Sequence, residues 1–183
     1  MLATLTIQNV VIIEKLTIEF KGGLCALTGE TGAGKSILLD SLGLALGHRA
    51  EARLVRKGAD KASVTACFDI PDTHSIYEIL EEAGIEFEPG EPLILKRIVN
   101  ADGRSKAFIN DQPVSASLLS EIGDLLVEIH GQHAASSLLK PSSHRRLLDQ
   151  FAGNEALLDM CARTYALMAE ASARRQELEE AHA

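Results

Sequence analysis

Alternation dominates the first part of the chain. Leu5 and Ile7 alternate with Thr4 and Thr6. After Asn9 the apolar run Val10-Val11-Ile12-Ile13 leads into Leu16, Ile18 and Phe20, which alternate with Thr17 and Glu19. A period of two predicts strands with one apolar face. Gly22-Gly23 turns the chain into Leu24-Cys25-Ala26-Leu27, a short apolar run that reads as a further strand. The period then changes, and Ile37-Leu38-Leu39-Asp40-Ser41-Leu42 predicts a helix from about Ser36 to Leu46, stopped by Gly47. Lys61 to Ile70 alternates again, with Val64, Ala66, Phe68 and Ile70 on one face, and Pro71-Asp72 breaks it. Ile76 to Ala83 has helical spacing and stops at Gly84. Leu93–Val99 and Ser105–Ile109 flank a turn at residues 100–103, which predicts a hairpin, and residues 110–113 make a second turn. Ser115 or Ser117 is placed to cap a helix running to about Gly123. Leu125-Leu126-Val127-Glu128-Ile129 reads as a short buried strand ending at His130-Gly131-Gln132-His133.

The pattern alters again from Ser142. Pro141-Ser142-Ser143 opens a helix through Leu147, Leu148 and Phe151, and Gly153-Asn154 breaks it. Beyond Glu155 the apolar positions Leu157, Leu158, Cys161, Tyr165 and Met168 thin into Ala-, Glu- and Arg-rich sequence. A helix so poor in large apolar side chains cannot bury a face in the same domain. It reads either as a frayed terminus or as the root of a coiled coil.

Composition narrows the functional classes. The chain has 183 residues, 46% of them hydrophobic, enough for one α/β domain with a proper core or for one domain plus a tail. A net charge of −8 excludes a globally basic nucleic-acid binder, though not local basic patches. Cys25, Cys67 and Cys161 form no C-x-x-C pair, which argues for a reducing compartment without structural zinc. Cys25 and Cys67 are expected to be small buried apolar residues. The N-terminus lacks the pattern of a signal peptide, and no apolar run approaches a membrane span.

One stretch carries chemistry directly. Gly29, Glu30, Thr31, Gly32, Ala33, Gly34, Lys35 and Ser36 fill every fixed position of the G-x-x-x-x-G-K-[ST] phosphate-binding loop. The flanks supply the apolar run before it and the helix after it. Backbone N–H groups of such a turn converge on phosphate oxygens, and the helix N-terminus adds its positive end. Lys35 is placed for the β- and γ-phosphates, and the Ser36 hydroxyl for Mg²⁺. These features predict an α/β P-loop fold that binds a nucleoside triphosphate such as ATP.

A complete hydrolytic site also needs an acidic residue at a strand end. Asp69 and Glu128 are the two candidates, and each also reads as an ordinary polar residue at a strand end. His130 and His133, with His144, lack a full zinc set, because no cysteine is near. Gln132 has a better use, since its amide offers an oxygen to Mg²⁺ and an NH₂ to water. Arg49, Arg53, Arg56 and Lys57 read either as a solvated face or as a source of an arginine finger. Arg104, Lys106, Arg145 and Arg146 are weaker candidates for contact with a phosphate backbone.

Together, Thr6-Ile7-Gln8-Asn9, the loop 28–36, Leu46-Gly47-His48-Arg49-Ala50, Leu54-Val55-Arg56-Lys57-Gly58 and Val127-Glu128-Ile129-His130-Gly131-Gln132-His133 resemble a known pattern. It is that of the N-terminal half of the ATPase head of the RecN family, SMC-like ABC-type ATPases of bacterial DNA repair. The resemblance covers essentially the whole chain. It implies a head assembled from both ends of a polypeptide through a long antiparallel coiled coil. Residues 1–153 would then be the N-terminal lobe, with a β-rich start, and 154–183 the root of the arm. The acidic strand end and the signature loop would then come from the C-terminal half.

By the same resemblance, Lys35 and Ser36 take the phosphate and Mg²⁺ roles and Gln132 the Q-loop role. Arg56 is most like the arginine finger, with Arg53 and Arg49 behind it. The implied function is recombinational repair of double-strand breaks, with ATP-driven engagement of two heads coupled to holding or tethering DNA. Expected partners are the C-terminal half of the head, a second head and DNA, with no membrane. The expected location is the cytoplasm, at the nucleoid. ATP hydrolysis is expected of the completed head, and negligible turnover of this chain alone. The rival readings are an ABC transporter nucleotide-binding domain, a small P-loop kinase, and an interaction module whose ATP site serves head association.

Overall fold

The computed structural model describes residues 1–28, 34–71, 74–88, 90–127, 129 and 141–181. The chain divides into two compact units, Met1–Ile129 and His130–Ala183.

The first unit is built on a six-stranded antiparallel sheet with strand order β2-β1-β3-β4-β5-β6. The strands are β1 (Leu2–Val10), β2 (Ile13–Glu19), β3 (Lys61–Phe68), β4 (Leu93–Asn100), β5 (Ser105–Ile109) and β6 (Gln112–Val114). The predicted alternation is what places them. Leu5, Ile7, Ala62, Val64, Ala66, Phe68, Leu93, Leu95, Val99, Ala107 and Ile109 are buried, while the intervening residues are half-buried or exposed. Register aligns the apolar positions in rows, for example Leu5 opposite Ala66, Ala66 opposite Leu95, and Leu95 opposite Ile109. The turn at residues 110–111 puts Asn110 and Asp111 at φ 43° and 61°, the left-handed pair that a two-residue hairpin favours. Asn110 Oδ1 also accepts from the Ile94 N–H at 2.7 Å, tying that turn to β4.

Helices α1 (Gly34–Ala45), α2 (Ile76–Glu82) and α3 (Ala116–Leu126) complete this unit. α1 packs on β1, β3 and β4, and α3 packs on β5 and α2. Ile37, Ser41, Leu44 and Ala45 form the buried stripe of α1. Ser41 satisfies its buried hydroxyl by donating to the Ile37 carbonyl at 2.6 Å. Two glycines let α1 and α3 approach closely. A Cβ on Gly47 would stand 2.5 Å from the Ser120 nitrogen, and one on Gly123 would stand 2.4 Å from the Leu46 oxygen.

Several expectations are corrected. Residues 24–27 form no strand, and Leu24, Cys25 and Leu27 are exposed. A strand needs a neighbour's ladder, and among the described residues none of the six strands pairs with residues 24–27. Cys67 is half-buried, because it lies on the opposite face of β3 from Ala66 and Phe68. α3 runs past Gly123 to Leu126, so Leu125-Leu126 belongs to a helix. Leu119, Ile122, Leu125 and Leu126 recur at helical spacing, and Gly123 serves close packing rather than termination. Val127 is the extended C-cap, and Ile129 lies in no strand.

The second unit contains α4 (Pro141–Ala152) and α5 (Glu155–Ala181). Gly153 at φ 66° ends α4. Asn154 Nδ2 donates to Asp149 Oδ1 at 3.2 Å across the joint. The 27 residues of α5 span about 40 Å. Its side chains from Ala156 to Glu180 are exposed, Leu157, Leu158, Tyr165, Leu167 and Met168 included. Pairs one turn apart, Asp159–Arg163 at 2.8 Å and Arg175–Glu179 at 3.5 Å, lace the surface.

Candidate nucleotide site

The predicted phosphate helix exists. Gly34, Lys35 and Ser36 form the first turn of α1, Lys35 half-buried and Ser36 exposed. That turn holds no acidic residue, so nothing in it opposes an anion at the positive end of the helix. Gly29, Glu30, Thr31, Gly32 and Ala33 lie outside the described residues. The position of this turn follows from the other end of α1. Leu46 N and His48 N donate to the Leu42 and Gly43 carbonyls, both at 2.9 Å, and Gly47 N donates to the Leu44 carbonyl at 3.2 Å. Gly47 takes φ 93° against α3. Gly43 admits the His48 ring, since a Cβ there would stand 2.6 Å from Nδ1. The helix is therefore fixed on the sheet by its buried stripe and by its C-terminal end.

Arg56 sits where the loop after α1 is stitched to the end of β1. Its N–H donates to the Asn9 carbonyl at 2.8 Å, and the Val11 N–H donates to the Leu54 carbonyl at 2.9 Å. Val10 and Val55 form an isolated bridge between these two bonds. Val11 holds φ 49°, unusual for a β-branched residue, and this fit turns its N–H toward the loop. Arg56 Nη1 donates to Glu14 Oε2 at 2.8 Å. Arg56, Lys57, Gly58, Asp60 and Lys61 line a cavity of about 560 Å³ beside Asn9. Arg53 pairs with Glu51, and Arg49 is exposed. The structure thus separates the arginines, placing Arg56 alone of the three at that cavity.

The remaining candidates scatter. Asp69 is exposed, and its backbone N–H donates to the Met1 carbonyl at 2.8 Å. Arg104 is held by Asp102, its Nε donating to Oδ2 at 2.7 Å. That guanidinium keeps the Asp102 carboxyl below its usual range. Lys106 is exposed on β5. Arg145 and His144 are exposed on α4, which also carries Arg146. Glu128, His130, Gly131, Gln132 and His133 lie outside the described residues. Among the described residues no cluster of His, Cys, Asp and Glu is placed to hold a metal, and no helix is long and apolar enough to cross a membrane.

Comparison with known proteins places the chain. The family model described as an AAA domain matches residues 4–181. The chain belongs to the AAA domain family. This AAA chain is 46% identical over 180 residues to the DNA repair protein RecN of Vibrio cholerae, covering 98% of this chain and 32% of the relative. It is 49% identical over 160 residues to RecN of Haemophilus influenzae, covering 86% of this chain and 28% of that relative. The resemblance to RecN is therefore borne out, and the chain spans about a third of the length of these relatives. A solved structure from work on ATP-driven dimerization and DNA-stimulated activation of SMC ATPases superposes with TM-score 0.56 at 21% identity, covering 82% of this chain and 98% of that one. At that identity the likeness shows the fold, an α/β head of SMC type.

Sequence reasoning passed over one polar residue. Arg97 occupies a core-facing position of β4 and is 5% exposed. The signal was present in the alternation, where Leu93, Leu95 and Val99 share its face.

Proposed function

We propose that this AAA chain is the ATP-binding half of an SMC-like ATPase head that acts in recombinational repair of DNA double-strand breaks. The observation that carries the reading is the full phosphate-loop sequence ending in Gly34-Lys35-Ser36 as the first turn of a docked α1. The RecN likeness over most of the chain supplies the biological setting.

In this reading Lys35 would neutralise the β- and γ-phosphates of ATP, and the phosphate-loop sequence would supply the backbone donors. Ser36 and Gln132 would hold Mg²⁺, which would supply charge neutralisation on the phosphate oxygens. Arg56, which now pairs with Glu14, would serve as the finger toward the γ-phosphate. The C-terminal half brings the acidic strand end and the signature loop, and a second head closes over the nucleotide. Engagement of the two heads is coupled to holding DNA, in the cytoplasm at the nucleoid. Residues 1–153 form the lobe, and 154–183 begin the arm. Leu157, Cys161, Tyr165 and Met168 give α5 one apolar stripe for an antiparallel partner helix.

The test is ATP turnover by this chain with and without the C-terminal half supplied in trans. Turnover is expected to be negligible alone and restored by the mixture. Lys35→Ala is expected to lower the restored rate by about 10²–10³-fold. Robust hydrolysis by the chain alone, or a restored rate indifferent to Lys35→Ala, would defeat the composite-site reading.

A further inference from the structure

Arg97 interrupts an apolar row. Register carries the row from Ile7 to Val64, from Val64 to Arg97, from Arg97 to Ala107 and from Ala107 to Val114. Ile7, Val64 and Ala107 are buried, as is Arg97 itself. Arg97 Nη2 donates to Ser105 Oγ at 2.9 Å. Its Nε is buried and has no acceptor. Among the described residues no carboxylate pairs with the guanidinium. A buried cation without a counter-charge is unfavourable, and arginine does not escape by losing its proton. Burial pushes its pKa below the ordinary arginine value, the direction expected for a desolvated cation. A valine or leucine would suit the row better, so packing does not account for the residue.

The same side chain lines a cavity of about 550 Å³ together with Ser105, Lys106, Val114 and Ala116. None of the residues lining it comes from α1. Ala116 opens the eleven-residue α3. Ser115 Oγ accepts the Leu118 N–H at 3.1 Å. That cap leaves the first two amides of α3, at Ala116 and Ser117, without an acceptor from it. The first turn of α3 carries no acidic residue. Arg97, Ser105 and Ala116 at the positive end of α3 therefore line one cavity, while the unsatisfied Nε is closed off from solvent.

We propose that this cavity is an anion site for a small phosphate, separate from the nucleotide site at α1. The guanidinium fork suits a tetrahedral oxyanion, and a phosphate charge of about −1.5 to −2 answers Arg97 and the α3 terminus together. A carboxylate would answer with a single charge.

The probe is inorganic phosphate, titrated at constant ionic strength into the full chain carrying Lys35→Ala and followed by calorimetry. That background removes the contribution of the α1 site. One saturable site is expected to remain. Adding Arg97→Gln is expected to weaken it by about tenfold or more, and Ser105→Ala by several-fold. Circular dichroism of each variant checks folding, and Ser105→Ala keeps the test decisive if Arg97→Gln fails to fold. The proposal is overturned if the Lys35→Ala chain binds no phosphate, or if affinity survives both the Arg97 and Ser105 changes. It is equally overturned if acetate competes as well as phosphate, which would mark a carboxylate site. Displacement of phosphate by duplex DNA at matched phosphate concentration would assign the cavity to a nucleic-acid backbone instead.

Discussion

The β-sheet unit and the long helix α5 use apolar residues in opposite ways. In the sheet unit, Leu5, Ile7, Leu95 and Ile109 meet one another across register and vanish from solvent. In α5, Leu157, Leu158, Tyr165 and Met168 are as hydrophobic but stay exposed. The difference lies in partners rather than composition. Burial of an apolar side chain stabilises by roughly 1.5–3 kcal/mol only when a second surface removes it from water. The sheet unit supplies its own second surface in α1 and α3, while the described part of α5 has none.

The sharpest way to break this contrast is to put a charge into each region. Leu95→Asp should destabilise the chain by about 4 kcal/mol or more in urea unfolding, because the carboxylate has no partner in the core. Leu158→Asp should stay within about 0.5 kcal/mol of the parent. Equal losses from the two changes would mean that α5 is packed after all.

Glycines give a second, smaller test. Gly123→Ala forces a Cβ to within 2.4 Å of the Leu46 oxygen. A loss of about 1–3 kcal/mol in thermal unfolding is expected as α3 backs away from α1. At Gly153 an added Cβ meets nothing within 4 Å, so Gly153→Ala should register the strain of φ 66° alone, about 1 kcal/mol or less.

Arg97 bears on the comparison from the other side, as a polar residue within the buried row. Arg97→Met should leave stability unchanged or raise it by about 1 kcal/mol in denaturant unfolding, since an apolar replacement ends the desolvation of a charge. A large loss would show that the guanidinium supports the fold.

The weakest effect is expected at His74. Its Nδ1 accepts the Ile76 N–H at 3.2 Å. Burial, and secondarily the N-terminal charge, push its pKa below 6.5. The unfolded state then binds the proton more readily than the folded state. The contribution of this group to stability is complete above pH 6.5 and declines as pH falls below that value toward the folded pKa. His74→Gln should flatten that part of the pH–stability curve by a few tenths of a kcal/mol.

These contrasts explain what the sequence made legible. Alternation located β1, β3, β4 and β5 because each has one buried face, and β2 because its apolar positions are half-buried while the charged ones between them are exposed. The phosphate-loop helix was legible because Gly34-Lys35-Ser36 fixes a local conformation and α1 carries a buried stripe behind it. Residues 24–27 misled because an apolar run states a preference for burial and says nothing of whether neighbouring strands exist. Leu125-Leu126 misled because Gly123 reads locally as a stop, whereas its role is set by Leu46, far away in sequence. Arg97 was overlooked because a single basic residue in an alternating strand is usually assigned to the solvent side, and only counting its parity exposes it.

The two margins of the sheet carry a further consequence. β6 has three residues with Pro113 in the middle, and β2 carries Glu14, Lys15 and Glu19 along its length. Proline withholds a ladder donor, and charges on a border strand repel a flat partner. Neither margin invites another chain to lengthen the sheet. Any second copy of this molecule would therefore have to be recognised through side chains and bound groups, which can be reversed, rather than by backbone pairing, which tends to persist.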